Sequence, residues 1–258
     1  MMPVMIHSPH VVQDADQDAR GHATGDAHRE AVTMFRLTGD RDFLADDHFY
    51  TTTFTALNGS GVTGEAIVGY DEDGKTITVA ISAAGLEPNM VHVQHIHGFP
   101  DGTEAHTQDT DGDGYVELAE GLNTYGPILL NLTTDHSNGS GGDNGHDHSG
   151  DLTGFPTAPD GTIWFVETYS LPAGSLTTDP MLALREIVIH GETVPAGAGA
   201  GTTGEVDGSG GYKLVLPVAS GELSETSSYS NFLQFLHATD FAAAAALHTP
   251  VGNIDMFS

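Results

Sequence analysis

No cysteine occurs among the 258 residues, which excludes disulfides, thiolate zinc sites and a cysteine nucleophile. Positive charge is scarce as well. Seven Lys and Arg stand against 36 Asp and Glu, a formal charge of -29, and Lys75 and Lys213 are the only lysines. So acidic a chain repels phosphate backbones, and nucleic acid is not an expected partner. Its self-repulsion is best tolerated where salt shortens the Debye length, to roughly 3 Å at 1 M, so a high-salt source is expected. No apolar run approaches the roughly 20 residues that span a bilayer. Met1 to His10 shows no basic region followed by an apolar stretch, so no signal peptide is visible, and the acidity fits a secreted or cell-surface protein. Also missing are a Gly-x-Ser-x-Gly elbow, a phosphate-cradling Gly-Lys-Ser or Gly-Lys-Thr, a His-Glu-x-x-His zinc helix and a dinucleotide fingerprint.

What is present is β texture. From Thr51 onward, short β-branched runs are separated by Gly and Asp-Gly turns: Thr51 to Ala56, Gly64 to Tyr70, Thr76 to Ser82 and Val91 to His97. Further runs follow at Pro127 to Leu132, Thr162 to Thr168, Leu184 to His190 and Tyr212 to Val218. The turn at Asp71-Glu72-Asp73-Gly74 marks a hairpin. About eight strands at this spacing predict an antiparallel all-β barrel or sandwich. Residues 1–50 read as an acidic arm with a helical stretch from Asp26 to Leu37. Residues 51–220 read as the β domain, and 221–258 as a C-terminal extension with a helix from Ser230 to His248. That helix would pack on the barrel or pair with a second copy in a homodimer. Two Gly-rich loops, Ser137 to Gly150 and Ala196 to Gly211, exceed the length of simple turns.

Two patterns carry chemistry. Gln94-His95-Ile96-His97 alternates like a strand, so both imidazoles project from one face, and Ile187-Val188-Ile189-His190 offers a third from another apolar strand. Three neutral imidazoles suit copper or zinc. The second pattern runs from Asp109 to Glu120 and matches a twelve-residue EF-hand loop. Carboxylates stand at Asp109, Asp111 and Asp113, Gly114 sits at the sharp turn, the Tyr115 carbonyl and Glu117 follow, and Glu120 closes as a bidentate ligand. Calcium is the expected occupant. Flanking helices are not evident, which points to a lone structural loop rather than a sensor pair.

These motifs resemble, in order and over roughly residues 53 to 220, those of the copper/zinc superoxide dismutase family and the related CHRD modules. Leu57-Asn58-Gly59-Ser60-Gly61-Val62-Thr63-Gly64 resembles the family's first hairpin. Gly85-Leu86-Glu87-Pro88 leads into His95-Ile96-His97 as the family leads into its copper pair. His148-Ser149-Gly150-Asp151-Leu152 is similar to the zinc loop, and Ile189-His190-Gly191 to the last copper strand. The resemblance implies a Greek-key barrel that disproportionates superoxide, with His95, His97 and His190 on copper and His136, His148 and Asp151 on zinc. It also implies departures. Ile128 stands where the family has its metal-bridging histidine, which His92 or His106 would have to replace in space. The segment Gly102 to Gly121, with the calcium loop, replaces a disulfide-closed loop. Lys213 takes the place of the active-site arginine, keeping the charge that guides superoxide but losing the planar fork. Three readings follow: a copper superoxide dismutase, a copper- or zinc-binding module without turnover, and a calcium-stabilised structural module of CHRD type.

Overall fold

The computed structural model describes residues 48–134 and 152–226. The acidic arm, the loop from Ser137 to Gly150, the zinc candidates His136, His148 and Asp151, and the C-terminal stretch from Ser230 lie outside these residues.

Among the described residues, ten strands form two antiparallel five-stranded sheets. Sheet I contains β1 (His48–Thr53), β3 (Thr63–Asp71), β4 (Thr76–Ala84), β7 (Thr162–Ser170) and β10 (Ser224–Thr226), in the order β10-β1-β3-β4-β7. Sheet II contains β2 (Thr55–Ala56), β5 (Gln94–His97), β6 (Ile128–Asn131), β8 (Glu186–Val194) and β9 (Gly211–Glu222), in the order β2-β9-β8-β5-β6. Strands form within all eight sequence-predicted runs, but the first, Thr51 to Ala56, is broken at Phe54 into β1 and β2, which lie in different sheets. The β3–β4 hairpin closes over Glu72 to Lys75, where the Asp71 carboxylate accepts the Gly74 amide at 2.7 Å. The chain changes sheet at Phe54, between β1 and β2, and at Leu223, between β9 and β10. No strand pairing joins β6 to β7, so the expected barrel is not closed and the architecture is a sandwich.

The core lies between the sheets. Val68, Val79, Ile81 and Phe165 from sheet I meet Ile96, Leu130, Ile187 and Ile189 from sheet II. Each such aliphatic side chain contributes about 1.5–3 kcal/mol by leaving water. Ile187 and Ile189 face this core, so the two-residue period of β8 sends Glu186, Val188 and His190 to the outer face of sheet II. On β5 the same parity turns Ile96 inward and His95 and His97 outward.

The connection from β5 to β6, residues 98–127, folds over that outer face. It contains one helix, α1 (Leu118–Thr124). The sequence shows no helix flanking the acidic loop from Asp109 to Glu120, yet α1 leaves directly from its end. It is short and interrupted by Gly121, so it carries little periodic signal. Its capping box is made by the acidic loop itself, Glu117 and Glu120 exchanging bonds with each other's backbone.

Candidate metal centre

The register across sheet II assembles the histidines. His95 lies opposite Val188 and His97 opposite Glu186, while His190 continues the β8 face by one more period. All three are fully buried, at 0% exposure, and their ligand nitrogens lie within 4.8 Å of one another. Ring centroids are 5.4 Å apart for His95 and His97, 5.2 Å for His95 and His190, and 5.9 Å for His97 and His190.

Two of the rings are oriented by the backbone. His97 donates from Nδ1 to the Gly126 carbonyl at 2.9 Å, and His190 from Nδ1 to the Val215 carbonyl at 2.7 Å. A carbonyl can only accept, so each Nδ1 carries the proton and each neutral ring presents its lone pair at Nε2. An Nδ1–H held by a carbonyl is a recurring way of fixing the tautomer of a metal-ligating histidine. The donor set therefore fits a borderline transition metal. The Val215 carbonyl reaches His190 because the β8–β9 register shifts on both sides of that residue.

The cover over the trio comes from the 98–127 connection. Ala105, Val116 and Tyr125 cluster with Val188, and the Tyr125 ring stands edge-on to His97 at 4.7 Å. Phe155 contacts His95 from another side, with ring centroids 5.5 Å apart. The cover is tied down along its length. Arg185, itself buried, donates to the Phe99 carbonyl. Asn58 brackets Val116, accepting its amide and donating to its carbonyl. The Val206 amide donates to Glu117, and the Leu118 amide to Glu205.

Tyr125 and Glu186 were not singled out by the sequence. The Tyr125 hydroxyl and the Glu186 Oε2 are buried with no hydrogen-bond partner among the described residues. Burial, then the Glu186 charge, pushes the Tyr125 hydroxyl well above its ordinary range. Alternation could have found Glu186, since it shares its face of the strand with His190. Nothing local marks Tyr125.

Gly121 makes room for Tyr125: a Cβ there would lie 2.0 Å from its Cζ. Gly121→Ala is expected to cost about 1–3 kcal/mol, the usual penalty for overpacking, and to weaken metal binding by displacing Tyr125 from His97. Urea denaturation and metal titration of the same variant check both effects.

Burial also raises the pKa of Glu186, against the lowering effect of hydrogen bonds from Thr107 and Ser220. The folded state therefore holds an extra proton between the ordinary value of 4.5 and the raised one. The stability tied to that proton is full below the ordinary value and is lost as pH rises through the folded one. Glu186→Gln keeps an acceptor for the 2.5 Å bond from Thr107. It is expected to flatten the decline of stability with pH and to be no less stable than the parent at pH 8. Urea midpoints at pH 5 and pH 8 measure this, and an unchanged slope would contradict it.

Neither expected stand-in joins the trio. His92 lies with its two ring nitrogens 3.0 Å from the His190 carbonyl and 3.1 Å from the Glu87 carbonyl, and His106 is exposed. Ile128 pairs with His97 across β5 and β6. Lys213 pairs with Glu192 on the neighbouring strand; its ammonium donates to Ser209 at 2.7 Å and lies 3.8 Å from Asp207.

Within the acidic loop from Asp109 to Glu120, the carboxylates of Asp109, Asp111 and Glu120 bring ligand oxygens within 4.8 Å of one another. Asp109 accepts the amides of Gly112 and Gly114, Asp111 that of Asp113, and Asp113 that of Tyr115. Gly114 has φ +97°, a conformation that side chains resist. Burial would raise the Glu120 pKa, but bonds from the Glu117, Thr110 and Asp111 amides and the Thr110 hydroxyl outweigh it and hold it low. Glu117 turns elsewhere, to the Val206 amide at 2.6 Å.

Comparison of the chain with protein-family models and with curated proteins returned no match.

Proposed function

We propose that this protein binds copper through His95, His97 and His190 and acts on superoxide at that site. The observation that carries the reading is the buried trio itself, three ligand nitrogens within 4.8 Å, drawn from two adjacent strands. Strand order supports the implied fold: β7 leaves for sheet I before β8 returns beside β5, the kind of excursion a Greek key makes. Copper bound there would supply a reversible one-electron couple, on which one superoxide is oxidised to dioxygen and another, with two protons, is reduced to hydrogen peroxide.

The chain's own residues do the rest. Gly126 and Val215 hold the ring tautomers, and Tyr125, Val116 and Phe155 keep bulk water off the histidines. Lys213 supplies positive charge for an anionic substrate, diminished by its neighbour Asp207. Zinc at His136, His148 and Asp151 is proposed on the resemblance alone. Calcium is proposed at the loop from Asp109 to Glu120, on the register of its acidic residues and the convergence of Asp109, Asp111 and Glu120.

A second reading, metal capture without turnover, is favoured by two observations. Ile128 stands beside His97 at the position of the family's bridging ligand, and Lys213 is engaged by Ser209 and Asp207. Metal analysis after exposure to copper and dialysis, followed by a superoxide decay assay, separates the two. One copper per chain with accelerated decay supports the enzyme. Copper without acceleration supports capture, no retained copper overturns the enzyme reading, and retention of neither copper nor zinc overturns both.

A further inference from the structure

Glycine puts no side chain between its amide nitrogen and the preceding residue, so an Asn-Gly pair is prone to deamidation, in which that nitrogen attacks the asparagine carboxamide. The chain has such pairs at Asn58-Gly59, Asn138-Gly139 and Asn144-Gly145. The first lies among the described residues, in the turn between β2 and β3. There the carboxamide is fully engaged. Its Nδ2 donates to the Val116 carbonyl at 2.9 Å and to the Pro217 carbonyl at 2.8 Å, and its Oδ1 accepts the Val116 amide at 2.7 Å. Both amide hydrogens are therefore used. Asn58 has φ +55°, a left-handed conformation that asparagine tolerates better than most residues. Its two partners belong to the two parts that hold the histidines. Val116 is packed with Tyr125 in the cover. Pro217 pairs with His190 across β8 and β9, two residues from Val215, whose carbonyl orients that ring. One side chain thus clamps the cover to the strand beside His190.

We propose that Asn58-Gly59 is a deamidation site guarded by the cover, and that its conversion unlatches the cover irreversibly. The consequence for metal rests on the trio being a copper site; the latch does not. While Val116 is seated, three bonds keep the carboxamide from turning toward the Gly59 nitrogen. When the cover lifts, the carboxamide is free to react. The Gly59 nitrogen gives its proton to solvent and bonds to Asn58 Cγ, and the Cγ–Nδ2 bond breaks as ammonia leaves with a proton from water. A second water then opens the cyclic imide to aspartate or isoaspartate. No oxidant, reductant or cofactor takes part. The new carboxylate has no hydrogen to donate to the Val116 and Pro217 carbonyls, so both lose this donor. It also adds negative charge beside a segment that already carries Asp113 and Glu117, which opposes reseating of the cover.

Peptide mass spectrometry of the full chain, aged at pH 8 in buffer and in guanidinium chloride, tests the guard. Asn58 is expected to deamidate at least about tenfold more slowly in the folded protein, because the reaction waits for local opening. Asn138 and Asn144 in the denatured chain report the unprotected rate. Equal rates for Asn58 in both states overturn the proposal. The latch is read by hydrogen exchange across residues 105–126 of the metal-free protein. Asn58→Asp is expected to speed exchange of the Val116 amide by about tenfold or more, as the donated bonds are lost. Asn58→Gly suits the left-handed turn and removes the same bonds without adding charge, so it carries the test if the aspartate variant does not fold. Exchange at the parent's rate in a folded variant overturns the latch. With copper bound, either variant is expected to release the metal to a chelator roughly tenfold faster, within the range for losing an outer support. Faster exchange with unchanged release overturns the link to the metal centre. A parent chain that retains no copper overturns the copper reading, and the exchange result alone then decides the latch.

Discussion

His97→Ala or His190→Ala is expected to abolish copper retention, with affinity falling by more than the roughly 10–100-fold that loss of an outer partner of a ligand costs. Either change leaves two imidazoles and no replacement among the described residues. His92 is occupied by two backbone carbonyls, His106 is exposed and Ile128 has no donor. Both variants should also lower the stability of the metal-free protein, because each ring is fully buried and tied to a backbone carbonyl, His97 to Gly126 and His190 to Val215. A competition titration against a chelator of known copper affinity measures the first effect, and thermal melts without metal measure the second. Wild-type affinity in both variants would mean that copper, if bound, sits elsewhere.

The other large effect concerns calcium. At a calcium concentration about 100 times Kd, binding to the folded state alone adds about 2.7 kcal/mol. For a domain of this size that corresponds to a rise in Tm of roughly 5–10 °C. Asp111→Ala is expected to remove that rise while changing the melt in chelator very little. Asp111 is exposed, and its carboxylate accepts only the Asp113 amide among the described bonds. Glu120 is the poorer choice for this test. It receives the amides of Thr110, Asp111 and Glu117 and completes the cap of α1, so its removal would destabilise the calcium-free protein too. Melts in calcium, in chelator and in sodium chloride of matched ionic strength are needed, because any salt relieves self-repulsion in so acidic a chain. An equal Tm loss in calcium and in chelator would remove the case for a calcium site.

Much of this architecture was legible from local pattern. Strands such as β4 and β8 are short, β-branched and bounded by turn residues, and parity along β5 and β8 is enough to put His95, His97 and His190 on the side away from Ile96, Ile187 and Ile189. What escaped depends on long-range placement. That β6 and β7 stay unpaired follows from how the sheets twist and where the long connections run, which no window of sequence reports. Tyr125 matters because Gly121 lets it fold back toward His97, a contact made only once the connection has closed over sheet II. The strand β10 has three residues and no alternation long enough to notice. Glu186 was readable and overlooked, since an acid two positions from Val188 on an apolar strand looks like an ordinary solvent-facing residue until a cover lies over it.

The parity of β8 also works as a form of proofreading. Its inward residues hold the sandwich together and its outward ones bring His190 to the histidine trio, so both readings of the strand must be in phase. Sliding β8 by one residue against β5 would drive His190 and Glu186 into the core and turn Ile187 and Ile189 outward. A chain folded in that wrong frame would lose its centre and its solubility together. A copy that binds metal at this site has, by that fact, its strands in the correct frame.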